Sequence, residues 1–425
     1  MKSIYAALLA AASCAGIAQA QEASPPAPVA VGETLTLDQA LAQAGAISPA
    51  NEVAALEIEA AQAGRAVAAL RPNPTFNADV ENVIGTGAAR GLSGAETTIG
   101  FALPLELGGK RPARIAVAEA QTARARIDAV IVRADLRLQV TQAYIEAASA
   151  ERRLTVARDQ VGVTAENLRI ARDRVVVGAN SPIDEQRAAL LATNARTELE
   201  RALASVEASR TSLGQFTGAS LSASLDQAWF DRVDSARAGP AVPPNAEGTL
   251  ALAAAGADVT TSEAQLRLAR SQRIPDLTVS AGTRRMQASG DMAMLFGVSV
   301  PLPVFNNGRA AVGQATALRN QSEARRRLAR FDAERAITAT RADRDRAAAS
   351  VRASGPVLTA AQEAARIARL GYGEGKFDQL VLLEAEQALL DARTAAIEAR
   401  AQYHDAEARL TRLTTPAAAA MGTTR

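Results

Sequence analysis

Histidine and cysteine are the side chains that most often bind transition metals or act as nucleophiles, and each occurs once, as His404 and Cys14. His404 stands in QYHDAEARL, a stretch with helical character, where a surface position is the simplest interpretation. A transition-metal site needs several such ligands at suitable spacing, and the sequence has no cluster of them. No glycine-rich phosphate loop follows a predicted strand, and no nucleophile can be paired with a base. The sequence therefore predicts a protein that is not an enzyme and carries neither a cofactor nor a metal site.

The charge balance bears on partners. The chain has 47 basic and 45 acidic residues and a formal net charge of +2. That balance gives no reason to expect a polyanionic partner, so no nucleic acid is predicted. Hydrophobic residues make up 48% of the chain but aromatic residues only 3%, so much of the apolar content is alanine. Such a composition, rich also in Glu, Arg and Leu, indicates long helices.

The N-terminus has the layout of a secretory signal. Lys2 precedes the apolar run IYAALLAAA, and AQA ends at Ala20. This pattern predicts a signal peptide over residues 1–20, cleaved between Ala20 and Gln21. The run is too short to span a bilayer. Cys14 lies in AASC, which resembles a lipoprotein signal only weakly because Ala11 replaces the usual leucine, so lipidation is disfavoured.

The chain repeats itself with an offset of 197 residues. Arg169–Arg196 and Arg366–Arg393 both begin with Arg-Ile-Ala-Arg, end with Ala-Arg and place a glycine at the same point, as Gly178 and Gly375. The same offset relates IGFALPL to FGVSVPL, through Gly100 and Gly297. This shared order predicts two copies of one structural plan.

Each copy is predicted to hold a helix, two strands, a very long helix and a return helix. The expected divisions are a signal peptide (1–20), a Pro/Ala-rich lead (21–33), a first repeat (34–218), a linker with a short helix (219–246), a second repeat (247–414) and a disordered tail (415–425). The expected elements are first helices at about 37–70 and 247–272, strands at about 74–84, 96–104, 276–286 and 292–300, long helices at about 110–176 and 309–371, and return helices at about 182–215 and 377–413.

The first long helix would measure about 100 Å at 1.5 Å per residue. Its residues from Val140 to Val175 carry apolar or small side chains at alternating steps of three and four, which is a coiled-coil seam. The seam consists of Val140, Ala143, Ala147, Ala150, Leu154, Ala157, Val161, Thr164, Leu168, Ala171 and Val175. In the second copy, the SGP sequence of Ser354–Pro356 predicts a kink or a break into two stacked helices.

The strand segments alternate apolar and polar residues, so each strand has one apolar and one polar side. Four strands cannot close a barrel, and a sheet in a bilayer must be closed because lipid offers its backbone no hydrogen bonds. Several chains could pool their strands. Soluble strand pairs that cap a coiled coil are the alternative, and the secretory signal favours the membrane.

IGFALPLELGGKR, GVSVPLPVFNNGR and GYGEGKFDQLVLLEAEQALLDAR, in their duplicated order, resemble the outer membrane efflux proteins of the TolC family. The last segment resembles especially the heavy-metal, cobalt–zinc–cadmium type branch. The resemblance implies a mainly α fold with a small β part, a homotrimer with a shared 12-stranded outer-membrane β-barrel, and a periplasmic α-helical barrel. It also implies three kinds of partner: outer-membrane lipid, a periplasmic adaptor (membrane fusion) protein and an inner-membrane pump of the resistance-nodulation-division type.

The resemblance also implies site residues. The helix-ending turns would be the periplasmic tips that contact the adaptor, although they could equally be simple helix stops. The tip residues are Val177, Gly178, Ala179 and Asn180 in the first copy and Tyr372, Gly375, Lys376 and Phe377 in the second. Acidic side chains narrow the entrance in this family, and here Glu384 retains an acid while Val381 does not. Asp184 would be available for a latch pair with a neighbouring helix. For Glu384 two interpretations stay open: an acid that lines the pore, or an exposed acid on a helical face without a role in the pore.

The resemblance thus predicts an outer-membrane exit duct for heavy-metal cations or small toxic compounds. Two other classes of protein share some of its features. A periplasmic adaptor also has a secretory signal and a helical hairpin, but normally one hairpin between compact β-rich domains. A secreted structural coiled coil would not need an outward apolar strand face.

Overall fold

The computed structural model describes residues 34–87, 90–218, 223–233 and 245–417. The predicted signal peptide, its cleavage point between Ala20 and Gln21, the Pro/Ala-rich lead, much of the linker and residues 418–425 of the tail lie outside these residues.

The described chain has the same order of elements twice. The elements are α1 (Leu37–Ile47), α2 (Pro49–Ala68), β1 (Thr75–Glu81), a 3-10 turn (Gly91–Gly94), β2 (Glu96–Leu105), α3 (Lys110–Val176), α4 (Pro182–Thr217), α5 (Gln227–Asp231), α6 (Leu250–Ser271), β3 (Leu277–Met286), β4 (Met292–Ser299), α7 (Arg309–Gly373) and α8 (Gln379–Thr414). No helix among the described residues is both long enough and apolar enough to cross a membrane.

The first helix of the first copy is divided in two, where a single helix was expected. Ser48 has an extended backbone, and Pro49 opens α2 at its first position. A proline disfavours the helical conformation of the preceding residue, so α1 ends there. The Ser-Pro pair was the local signal for this boundary.

The two long helices form antiparallel hairpins with their return helices, α3 with α4 and α7 with α8. Every residue of the predicted seam from Val140 to Val175 is buried or half-buried. The predicted break into two stacked helices at Ser354–Pro356 is wrong, because α7 continues through Pro356, whereas the alternative, a kink, stays a prediction. Pro356 and Arg352 are exposed, so the main-chain carbonyl that loses its partner four residues earlier is accessible to water.

The four strands form one antiparallel sheet in chain order, with β2 and β3 joining the two copies. The register places Phe76 opposite Phe101, and Phe101 opposite Ala281, so apolar residues of all strands share one face. This face carries Phe76, Ala78 and Val80; Ile99, Phe101 and Leu103; Leu277, Val279 and Ala281; and Met294, Phe296 and Val298. In the single chain Phe296 is 78% exposed, so the face has no cover of its own.

The opposite face is polar and carries an ion-pair network. Arg284 Nη1 lies 2.8 Å from Glu96 Oε2, and Nη2 lies 3.0 Å from Glu81 Oε2. The two glutamates are directly opposite in the register of β1 and β2. Like charges in that position destabilise a sheet, and the guanidinium between them offsets the repulsion.

The principal core lies where α1 packs on α3 and α4 and where α5 packs on α3 and α8. Tyr144 is fully buried, and its hydroxyl donates to the Leu35 carbonyl (2.8 Å) and accepts from the Asp226 amide (3.0 Å). His404 is buried rather than at the surface, so that expectation is wrong. Its Nε2 donates to the Phe230 carbonyl at 2.9 Å, and its ring stacks on Trp229. Burial lowers the pKa of His404, although the hydrogen bond to Phe230 opposes this effect.

Candidate functional site at the hairpin tips

Both hairpins reverse through the same kind of turn. The first tip, residues 177–181, follows α3, and the second tip, residues 374–378, follows α7. Gly178 and Gly375 have φ of 74° and 78°, the left-handed region that favours glycine. Each tip therefore contains the predicted glycine stop.

The main-chain hydrogen bonds of the two turns correspond one to one. In the first tip the Ala179 amide donates to the Arg174 carbonyl at 2.8 Å, and in the second the Lys376 amide donates to the Gly371 carbonyl at 2.8 Å. In each tip the glycine amide also donates to the carbonyl three residues earlier. This pair of bonds is the Schellman motif, which satisfies the last carbonyls of a helix.

The return helices begin at once after the turns. Pro182 stands in the first turn of α4, where its missing N–H costs little. In the second copy Asp378 caps α8, and its side chain accepts a hydrogen bond from the Val381 amide at 3.1 Å. Both hairpins thus reverse within five residues, which places the two tips at equivalent ends of the hairpins.

Arg174 connects the two tips. Its Nη2 donates to the Tyr372 carbonyl, and its guanidinium lies over the Tyr372 ring, 4.3 Å from the ring centre. Tyr372 is 1% exposed and packs with Ala368 and Leu382. Burial raises the pKa of Tyr372, and its hydroxyl has no hydrogen-bond partner among the described residues. Arg174 thus joins the two hairpins at this end through a cation–π contact and a charge-assisted hydrogen bond.

A second link runs in the other direction. The buried Gln379 donates from Nε2 to the Asp184 carbonyl at 2.8 Å. The Asp184 carboxylate accepts from Asn180 Nδ2 at 3.1 Å and lies 4.0 Å from Arg187, both on its own hairpin. Asp184 therefore meets the neighbouring hairpin through its main chain, while its carboxylate holds the first tip.

Phe377 depends on a glycine. A Cβ atom at Gly371 would overlap the Phe377 ring, so only glycine allows this ring to lie against the end of α7. Phe377 is 39% exposed, and Val177 of the first tip is 75% exposed. The tips therefore present apolar side chains to solvent in the single chain.

An ion pair braces each hairpin above its tip. Arg172 Nε lies 3.0 Å from Glu185 Oε1, between α3 and α4. Arg369 Nη2 lies 2.8 Å from Glu386 Oε2, between α7 and α8, and this hydrogen bond raises the pKa of Arg369. Glu386 is 5% exposed, so its pairing matters more than that of a surface glutamate.

Glu384 lies on the exposed side of α8, two helical turns beyond the second tip, and it forms no ion pair or hydrogen bond with the described residues. Leu380 and Val381 precede it on the same side of α8, at spacings of four and three residues, and both are exposed. On this side of α8 the site thus has one acid, Glu384, next to two exposed apolar side chains.

The structure brings the predicted tip residues of both copies to one end of the chain. Sequence reasoning missed Arg174, Gln379 and Gly371, which make the contacts between and within the tips. The glycines before Gly375, Gly371 and Gly373, were a local signal of a special backbone or packing position, although they did not single out Gly371. Arg174 and Gln379 had no comparable signal, since their partners lie nearly 200 residues away in the chain.

Comparisons with known proteins agree with this architecture. The family model for outer membrane efflux proteins matches residues 36–219 and 246–415. The cobalt-zinc-cadmium resistance protein CzcC of Cupriavidus metallidurans is 30% identical over 388 residues, covering 89% of this chain and 90% of that protein. The nickel-cobalt-cadmium resistance protein NccC of Alcaligenes xylosoxydans xylosoxydans is 28% identical over 347 residues, covering 77% of this chain and 74% of that protein.

A crystal structure of CusC, a protein that forms a transmembrane channel, superposes on this chain with a TM-score of 0.74 at 17% sequence identity. The match covers 90% of this chain and 92% of CusC. The predicted fold, a small sheet with long duplicated helical hairpins, is confirmed by this likeness. The matched family model spans both repeats, so the chain belongs to the outer membrane efflux protein family.

Proposed function

We propose that this protein is the outer-membrane exit duct of a tripartite efflux system for divalent heavy-metal cations. Its similarity to CzcC along 89% of the chain carries the choice of substrate. The duct would receive its substrate from a periplasmic adaptor and an inner-membrane pump of the resistance-nodulation-division type. It needs no metal site of its own, because a wide conduit passes what the pump supplies.

The working unit of the proposal is a homotrimer. Three chains would contribute twelve strands, and the uncovered apolar face around Phe101 and Phe296 would contact the lipid of the outer membrane. The face with Glu81, Glu96 and Arg284 would then line the exit. In this arrangement every strand edge is paired, as a bilayer requires.

The hairpin tips are the proposed adaptor contact and entrance. Val177 and Phe377 expose apolar surface there, and Gly178 and Gly375 hold the turns. The Arg174–Tyr372 and Gln379–Asp184 contacts hold the hairpins together, so opening of the entrance would require their release. Glu384 would place one acid per chain near this entrance and attract cations.

Resistance to metal ions tests the proposal directly. The chain is expressed in a host that has a matching adaptor and pump but lacks their outer-membrane channel. Growth limits are then measured with Co²⁺, Zn²⁺ and Cd²⁺. We expect the wild-type protein to restore resistance to at least one of the three cations. A correctly assembled trimer that restores none would overturn the substrate assignment.

Two matched variants separate the tip contact from assembly. Val177→Asp adds a charge to the exposed first tip, whereas Ile84→Asp adds the same charge to a 94% exposed residue after β1, at the opposite end of the sheet from the hairpins. We expect Val177→Asp to lose resistance and Ile84→Asp to keep it, with both trimers intact on unheated SDS gels. Equal activity of the two variants would refute the adaptor contact at the tip.

A further inference from the structure

A second feature lies far from the tips. A cavity of about 1080 Å³ opens between α3, α7 and α8, beside α1 and α5. It is about as large as the larger pockets that hold drug-sized ligands in proteins. Its α3 residues, Val130 to Thr141, are about 30–47 Å along the helix from the sheet end, at 1.5 Å per residue.

The lining of this cavity is strongly basic. Five arginines line it, and Glu407 is the single carboxylate among the described lining residues. The arginines are Arg133, Arg137, Arg341, Arg344 and Arg412. The chain as a whole has a net charge of only +2, so this local excess is not a property of the bulk composition.

Part of this positive charge is uncompensated. Arg412 pairs with Asp135, and Arg344 lies 2.7 Å from Asp345 and 3.8 Å from Glu407. The guanidinium groups of Arg133 and Arg137 form no hydrogen bond or ion pair within the part of the chain that the structure describes, although the Arg137 carbonyl accepts from Thr141 Oγ1. They stand four residues apart on α3, which places both guanidinium groups on one side of the helix.

The rest of the lining combines apolar side chains with His404 and four threonines. Leu37 and Leu41 come from α1, Leu138 from α3 and Trp229 from α5. Trp229 lies against His404, whose buried ring also lines the cavity. A pocket lined by both arginines and apolar side chains is complementary to a molecule with an anionic head and a hydrocarbon or aromatic body.

We propose that this basic cavity binds a small amphipathic anion, with a carboxylate or phosphate head at Arg133 and Arg137 and an apolar body against Leu37, Leu41 and Trp229. Guanidinium groups recognise both oxyanions through paired, charge-assisted hydrogen bonds. Metal cations, the proposed cargo of the duct, would be repelled here. The site is therefore separate from transport and independent of the proposed function.

Trp229 provides the readout, because it is the only tryptophan in the chain. The full-length protein in a neutral detergent is titrated with octanoate and with octyl phosphate while tryptophan fluorescence is recorded. Octanol and octyltrimethylammonium serve as neutral and cationic probes of the same chain length. We expect a saturable change with the anions alone, and the tighter of the two identifies the preferred head group.

Two test variants and one control examine whether the charges of the lining residues cause anion binding. Arg133→Gln/Arg137→Gln should weaken anion binding about tenfold or more, since each removes a charge-assisted hydrogen bond. The control, Arg325→Gln/Arg326→Gln, removes two exposed arginines of α7 outside the cavity and should titrate as the wild type. Glu407→Gln removes the single carboxylate among the described lining residues and should tighten binding.

The comparison is decisive because micelle partitioning of the probes is the same for every variant. Equal responses to octanoate and octanol would overturn the proposal, as would unchanged binding by Arg133→Gln/Arg137→Gln. A shift in the same direction for this variant and Glu407→Gln would also overturn it, because their charge changes are opposite. Arg133→Gln/Arg137→Gln and its control Arg325→Gln/Arg326→Gln should both retain the wild-type unfolding temperature. That result would show that the binding defect of the first variant is local.

Discussion

The glycines of the two tips allow a sharp test of the hairpin turns. We consider Gly178→Ala and Gly375→Ala, which add one methyl group at φ of 74° and 78°. A Cβ at Gly178 would meet nothing within 4 Å, and one at Gly375 would lie 3.5 Å from Arg174 Nη2, an ordinary contact. The substitutions therefore change the backbone energy and almost nothing else.

The expected cost follows from chirality. An L-residue in the left-handed helical region is disfavoured by about 1–2 kcal/mol, because its Cβ crowds the following carbonyl. Alanine also reduces the freedom of the unfolded chain, which returns about 0.4–1 kcal/mol in global stability. The net global effect is thus small, and the strain is concentrated in the turn.

Hydrogen exchange measures this strain where it acts. The amides of Gly178 and Ala179, and those of Gly375 and Lys376, are bonded within the turns. Local opening that is easier by about 1–2 kcal/mol should accelerate their exchange about five- to thirtyfold. The measurement is exchange followed by peptide mass spectrometry over each tip.

Gly162→Ala is the matched control. Gly162 is exposed inside α3, with no atom within 4 Å of an added Cβ, so the same substitution should stabilise the helix by about 0.5–1 kcal/mol. In Gly162→Ala, hydrogen exchange near residue 162 should slow, whereas in the two tip variants hydrogen exchange at the substituted tip should become faster. If the tip variants slow exchange as Gly162→Ala does, the turns are not left-handed and the Schellman geometry is refuted.

Three further outcomes are expected. Gly371→Ala should displace the Phe377 ring at a cost of about 1–3 kcal/mol and increase hydrogen exchange at the second tip, because its Cβ would overlap that ring; unchanged exchange would contradict this packing. Arg174→Gln should raise the open probability in planar-bilayer conductance, whereas Arg169→Gln, which loses pairs only within α3, should not; equal conductance of the two variants would exclude Arg174 as a link that closes the entrance. Burial lowers the pKa of His404, so the unfolded state binds the proton more tightly and the stability of the fold decreases as the pH drops below about 6.5. Between about pH 7.5 and 5.5, the unfolding temperature of His404→Phe should therefore decrease less than that of the wild type. An identical decrease in both proteins would exclude His404 as the cause.

The features that could be predicted from the sequence are those with local causes. The duplication, the long hairpins and the glycine stops at Gly178 and Gly375 follow from periodicity and from residues within one turn of each other. The strands with one apolar and one polar side follow likewise from the alternation of apolar and polar residues. A local signal does not fix every boundary, because Pro49 ends α1 at Ser48 whereas Pro356 does not end α7.

Tertiary structure decided what joins these elements. The Arg174–Tyr372 contact and the five-arginine cavity depend on how α3 lies against α7 and α8, which no local pattern encodes. The burial of His404 depends likewise on the short helix that carries Trp229 and Phe230. Periodicity specifies which side of a helix is apolar, but the rotation and height of one long helix against another are set by packing along the whole interface. For that reason the family, the fold and the turns could be predicted from local patterns, whereas the side chains that meet between the elements became known from their packing in three dimensions.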